Sequence, residues 1–287
     1  MTFLALIVAL IFIQLYGEKN PVHNDNWFVS AQRRSRGFGF NPTVSLVIYI
    51  VVPVVVVRFI LSVVDSWLFG LLWIGGATLI LLYSFGREHF DSLAQRYRNY
   101  CMSGDFEAAY LYAQEELDID PETLNVDSPE ETHEAIQTQL LYLGYQRWFA
   151  VLFYFVLLGP LASLAYRLLQ LSRPTPEGEL AAKILFYIDW IPTRLLASGF
   201  ALTGNFLSSR DRLMASLSEA RQASGSVLLS VGRAAIGGAN AWANADGAQD
   251  QQPFFETAAI EAGELRDLMS RSAGAWLIAI SLIVLFF

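Results

Sequence analysis

The sequence predicts an all-α, polytopic integral membrane protein with about five to six membrane helices, one of them broken or re-entrant, and helical water-facing insertions. Three observations carry this. Of 287 residues, 54% are hydrophobic and only 16% charged, whereas an ordinary soluble domain carries roughly 25% charged residues. Several stretches reach the length of about 20 apolar residues that a helix needs to cross hydrocarbon about 30 Å thick. The 20 Phe, 12 Tyr and 7 Trp are costly to expose to water but suit lipid and its interfaces.

The apolar elements follow in order. Met1 to Tyr16 is apolar apart from Thr2 and Gln14. No basic segment precedes it and no small-x-small cleavage site follows, so it reads as a short membrane helix rather than a cleaved signal. Val44 to Val64 is a full-length span with one charge, Arg58, and with Pro53 in the middle, where a kink is expected. Arg58 is near enough to the span's end to snorkel. A turn at Asp65-Ser66 leads to Trp67 to Phe85, making an antiparallel hairpin. Phe149 to Leu171 is a third span, with Gly159-Pro160 in its middle and Arg167 near one end. Ala275 to Phe287 closes the chain as another short membrane helix.

Ile184 to Phe206 is the ambiguous stretch. It is long enough to cross, yet it holds Asp189 and Arg194 around Pro192. Proline disfavours helical geometry at the residue before it, Ile191. A charge at the bilayer centre costs at least ~2.5 kcal/mol when unpaired. Asp189 is therefore expected to meet a cation, Arg194 or Arg167, either as an ion pair that packs helices or as part of a ligand-facing site.

The water-facing parts are residues 86–147 and 208–271 of a single membrane domain, 1–287. The first holds thirteen acids against four Arg, a larger imbalance than the −8 of the whole chain. It reads as a helix over Arg87 to Met102, a second capped by Asp105 and running to Leu117, a loop around Asp120-Pro121, and a third. Ser128-Pro129-Glu130-Glu131 is a capping box with proline at the first helical position, and this third helix runs straight into a span. The second stretch gives helices over Arg210 to Gln222 and Phe254 to Met269, with Gly237-Gly238 and Ala243 to Gln252 as loop. Counting Lys and Arg near the span ends puts the N-terminus outside and both stretches in the cytoplasm.

Enzyme signatures are missing. Neither Lys19 nor Lys183 follows a glycine, which excludes a P-loop, and no G-x-S-x-G elbow exists. His23, His89 and His133 have no zinc spacing, and the acids from Glu115 to Glu122 lack the calcium-loop pattern. No metal and no cofactor is expected. Cys101, the only cysteine, can make neither an internal disulfide nor a CxxC site. The acidic balance, with no Lys/Arg-dense run, argues against nucleic acid.

Asp189-Trp190-Ile191-Pro192-Thr193-Arg194-Leu195 resembles the D-W-x-P-x-R-L stretch of the AmpE family, and more remotely the W-x-P-A-R-L stretch of the cobalamin-biosynthesis membrane proteins CbiB/CobD. Further similarities are Met1-Thr2-Phe3-Leu4 through Phe12, Gly159-Pro160 followed by Tyr166-Arg167, and Glu261-x-x-x-Leu265 through Trp276. The resemblance implies a bacterial inner-membrane protein linked to β-lactamase induction and cell-wall stress. It makes Asp189, Trp190, Pro192, Arg194, Tyr166 and Arg167 the candidate ligand-binding or ion-pair residues. CbiB-like proteins carry an acidic stretch before the middle span, where Leu140 to Gln146 here has no acid. The fold therefore carries over and the ligase reaction does not. The expected function is regulation or sensing without an assigned reaction. The alternatives are a CbiB-like enzyme for a phosphorylated or amide-forming small molecule, and a lipid or muropeptide transporter. Expected partners are the bilayer and a basic protein at the acidic insertion; a homodimer is one expectation for the assembly.

Overall fold

The structure is a computed structural model that describes residues 2–16, 24–35, 40–64, 70–85, 90–117, 119, 121, 124–125, 128–237 and 252–286. Among these residues every long regular element is a helix and no strand occurs. In chain order they are α1 Thr2–Tyr16, α2 Asn26–Ser35, α3 Pro42–Val64, α4 Leu71–Ser84, α5 Phe90–Ser103, α6 Phe106–Glu115 and α7 Pro129–Gly144. A π-helical turn, Tyr145–Ala150, leads to α8 Val151–Leu158, α9 Pro160–Leu171, α10 Gly178–Ile188 and α11 Trp190–Thr203. Then come α12 Phe206–Ser218, α13 Ser224–Ile236 and α14 Gln252–Phe286. The chain divides into two compact units, residues 1–87 with 147–189, and residues 88–146 with 190–287.

In the first unit, α4 packs on α1 and α9, and α3 packs on α9. Small side chains let the helices approach: Ala5, Ala9 and Ala77 are fully buried, and the Thr78 hydroxyl donates to the Ala5 carbonyl at 3.2 Å. A Cβ on Gly76 would come within 2.9 Å of Leu61 Cδ2, so the glycine admits α3 against α4. Phe28, Tyr49, Leu164 and Leu168 form the core between α2, α3 and α9. The remaining face of α3 is bare. Val47, Val51, Val55, Phe59 and Ile60 are each about half exposed or more.

The second unit is built on α14, which packs along α5 and α11, while α11 also packs on α13. Leu93, Tyr97, Tyr112, Leu140, Phe254 and Ala258 lie in its core. The helices expected at its start form as their caps dictate. Asp105 accepts from the Ala108 N–H at 2.9 Å, and Ser128 accepts from the Glu131 N–H at 3.3 Å. The helices α2 and α13 were not expected from the sequence. Ser, Gly and Ala give α13 a weak apolar signature, yet its Val227, Leu228 and Val231 are fully buried. Gly225 makes that possible, because a Cβ there would lie 2.7 Å from Thr138 Cγ2 and 3.0 Å from the Thr138 carbonyl oxygen.

Two expected spans are interrupted. The helix starting at Pro129 continues through Leu158, and Gly159 then ends it at φ 87°, ψ −176°. That conformation is essentially restricted to glycine. Pro160 opens α9 at its first position, where its missing N–H costs no bond. The second interruption falls at Asp189, not at Ile191. Pro192 occupies the first turn of α11, where N–H groups lack intrahelical partners anyway, so Ile191 stays helical. The last amphipathic helix and the closing apolar segment are one helix, α14, of 35 residues. By length and composition two helices could cross a membrane, α3 and the continuous Pro129–Leu158; the apolar stretches Thr2–Ile13, Leu71–Ser84 and Ser224–Ile236 are shorter. The turn at Asp65-Ser66, the acids Asp118, Asp120 and Glu122, and the loop from Ala243 to Gln251 lie outside the described residues.

Gly159 has open space around its Cα, with nothing within 4 Å of a Cβ. Gly159→Ala should therefore cost stability through backbone strain alone, about 1–3 kcal/mol. Gly75, in the middle of α4 and with equal room, gives the control. Gly75→Ala should be neutral or stabilising by up to about 1 kcal/mol. Thermal melts of the two purified variants compare them, and equal melting temperatures would remove the strain argument.

Candidate functional site

In the first unit the break after Gly159 sets the register of α9 so that one face buries Ser163, Leu164, Tyr166, Arg167 and Leu168. Tyr166 and Asp189 are brought together: the hydroxyl donates to Asp189 Oδ1 at 2.7 Å, and Asp189 is fully buried. Asp189 ends α10, its own N–H donating to the Leu185 carbonyl at 2.8 Å. A carboxylate beside the negative end of a helix is electrostatically unfavourable, so a strong donor there matters. Tyr154, whose ring centroid lies 5.1 Å from that of Tyr166, donates to the Ile188 carbonyl at 2.7 Å. Two tyrosines in ring contact thus hold the end of α10, one on its carbonyl and one on its carboxylate.

Arg167 points elsewhere. Among the described residues its carboxylate partner is Asp25, at 3.2 Å, and it also donates to Gln170 Oε1 at 3.2 Å. Asp25 starts α2, where its carbonyl accepts from the Phe28 and Val29 N–H groups. The expected Asp189–Arg167 pair is replaced by one that anchors α2 on α9.

In the second unit Arg194 is 5% exposed, and its fork is spent on carbonyl oxygens. Nε donates to Ser216 at 2.9 Å, Nη2 to Glu219 at 3.0 Å and Nη1 to Trp190 at 3.2 Å. The first two oxygens lie at the end of α12, whose last carbonyls have no helical donor. The guanidinium therefore caps α12 and meets the negative end of its dipole. Trp190 lies under it, ring centroid 4.4 Å from the guanidinium carbon. The buried Thr193 hydroxyl and Trp190 indole N–H have no protein partner among the described residues.

A further buried cluster was not foreseen. Four helices of the second unit bring together Tyr97 (α5), His133 and Glu134 (α7), Arg233 (α13) and Glu261 (α14). Tyr97 Oη lies 2.6 Å from His133 Nδ1, and His133 Nε2 lies 3.5 Å from Glu261 Oε1. Arg233 donates from Nε to the same Glu261 oxygen at 2.7 Å and from Nη1 to Glu134 at 3.3 Å. Burial pushes the Glu261 carboxyl up, but His133 and Arg233 beside it outweigh that and hold it below the usual carboxylate range. Burial raises the Tyr97 hydroxyl well above its ordinary value, with Cys101 adding to the shift. Burial also moves the Cys101 thiol up to about 11, so that it is protonated and unreactive at neutral pH. The capping box at Ser128 located the helix that carries His133; nothing local in the sequence pairs it with Glu261.

Because the folded Glu261 pKa is depressed, its contribution to stability is complete above the ordinary Glu value of about 4.3 and is lost as pH falls through the folded value. Glu261→Gln should destabilise the protein by about 1–3 kcal/mol at neutral pH, since it keeps an acceptor for the part-buried Arg233 but removes the negative charge that Arg233 and His133 face. The gap between variant and wild type should narrow in melts taken at progressively lower pH. A gap that stays constant down to acid pH would show that the carboxylate charge is not what stabilises.

No curated protein and no solved structure matches the chain. A family match covers residues 1–237, which include Tyr166, Arg167, the Asp189–Arg194 segment, His133 and Arg233 but not Glu261. That family is described as regulatory signalling modulator protein AmpE. The chain, matched over most of its length by this one description, belongs to the AmpE family.

Proposed function

We propose that the chain is a multi-pass bacterial inner-membrane regulator that couples cell-wall stress to β-lactamase induction. The family match carries this reading. The bare face of α3 supports the membrane part: its apolar window has mean hydropathy 2.8 and is only 11% buried by protein, a surface that water would leave unfavourably solvated. Lipid also suits the short apolar helices, which need neighbours or a thinned bilayer to span.

A regulator needs an element with two arrangements and a ligand or partner that distinguishes them. The interruption at Asp189 is that element. A buried carboxylate at a helix end depends on donors such as the Tyr166 hydroxyl, and losing a donor to a buried charged group costs more than losing an ordinary hydrogen bond. The acidic stretch 86–147 is the output surface. It attracts basic partners over about a Debye length, ~8 Å at physiological salt.

Deleting the gene should alter β-lactam-dependent β-lactamase induction, and the wild-type chain should restore it. Asp189→Asn should reach the membrane at normal level and fail to restore it. Unchanged induction in the deletion strain would sink the proposed function.

Topology is tested separately. In a Cys101→Ser background, cysteines at Asp105 and at Gly247 should both react with membrane-impermeant maleimide only after the cytoplasmic side is opened, as positive-charge counting requires. Labelling from opposite sides would overturn that arrangement.

A further inference from the structure

In the first unit a pocket of about 260 Å³ opens between α3, α4 and the junction of α8 with α9. Arg58, Ser62, Trp73, Leu158, Pro160 and Leu161 line it, together with Leu61. Among the described residues Arg58 is its only charge, and neither a carboxylate nor a carbonyl takes this exposed guanidinium. Among the described residues no acid lines the pocket.

The position is specific. Arg58 sits six residues before the end of α3, about 9 Å along the axis at 1.5 Å per residue, on a helix whose apolar window protein covers only 11%. A cation there is within snorkelling reach of a membrane interface. Trp73, in the first turn of α4, is the residue type that favours that level. Leu158 ends α8, and Pro160 and Leu161 begin α9. The leucines and Pro160 give the rest of the wall an apolar surface. One arginine fork, an indole N–H and a hydroxyl, set in apolar walls at an interface, match a phosphate ester that carries hydrocarbon.

We propose that this pocket binds the phosphate of an anionic phospholipid, with Arg58 holding its oxygens bidentately, Trp73 donating from the ring nitrogen, and the leucines seating the start of the acyl chains. The Ser62 hydroxyl, which donates to the Phe59 carbonyl at 2.7 Å, can accept from a headgroup hydroxyl without giving up that bond. The site rests on the membrane reading of the chain and assigns it a particular lipid contact.

The test is native mass spectrometry of the purified full chain in micelles doped with equal phosphatidylglycerol and phosphatidylcholine. The expected result is one phosphatidylglycerol retained in preference to phosphatidylcholine, with retention falling about tenfold or more in Arg58→Gln, the loss of a charge-assisted contact. Arg58→Lys should be intermediate, because it keeps the charge without the fork. Trp73→Phe, which leaves the arginine untouched, should weaken retention by a smaller factor. It keeps the test decisive if Arg58→Gln misfolds. Equal retention in wild type and Trp73→Phe, and in any folded Arg58 variant, would overturn the site while leaving the membrane reading intact. Displacement of the lipid by excess inorganic phosphate would overturn the lipid assignment in favour of a free-phosphate site. A chain that stays dispersed without detergent and takes up no lipid would overturn both readings.

Discussion

Taking an ion out of water costs several kcal/mol unless fixed partners replace the lost hydration, and in this chain that constraint decides where helices end. Arg194 supplies donors to the last carbonyls of α12. Asp25 starts α2 and holds Arg167. Asp189 ends α10 under the Tyr166 hydroxyl. For Arg194 and Asp25 one placement serves both the ion and the helix terminus, whereas Asp189 relies on the tyrosine hydroxyl. A chain with 16% charged residues has few such groups to place.

The two units solve the same problem differently. The first spaces its ions apart among the described residues: the Tyr166 hydroxyl donates to Asp189, Arg167 pairs with Asp25, and Arg58 faces the pocket. The second gathers them. His133, Glu134, Arg233 and Glu261 meet across three helices, with Tyr97 bringing in a fourth. Through Arg233 and Glu261 these contacts tie the helices to one another, which couples them more tightly than apolar packing alone would.

Much of this was legible in the sequence. Helical content, the caps at Asp105 and Ser128 and the peculiarity of the Asp189 segment follow from local chemistry, whereas Gly159 breaks what reads as one span. Partnerships were not legible. The residue that pairs with Arg167 lies 142 positions away, and helical periodicity says which face a residue occupies, not which helix it meets. The α13 helix escaped for a related reason: Gly225 and Gly232 contribute by their smallness, against Thr138 and Leu265, which no hydropathy pattern registers. The exact start of α11 escaped too, because proline's effect on its predecessor yields when the proline falls in a first turn.

The Arg167–Asp25 contact has a consequence for biosynthesis. Asp25 leaves the ribosome 142 residues ahead of its partner, and at 5–20 residues per second that interval is roughly 7 to 30 s. Through it, α2 emerges without its anchor while the first half of the other unit is being made. Because the first unit consists of residues 1–87 and 147–189, it cannot be completed in the order in which its parts are translated. The nascent chain must therefore carry an unfinished N-terminal unit for most of its synthesis, a period in which insertion machinery or a chaperone has access to surfaces that the finished protein closes.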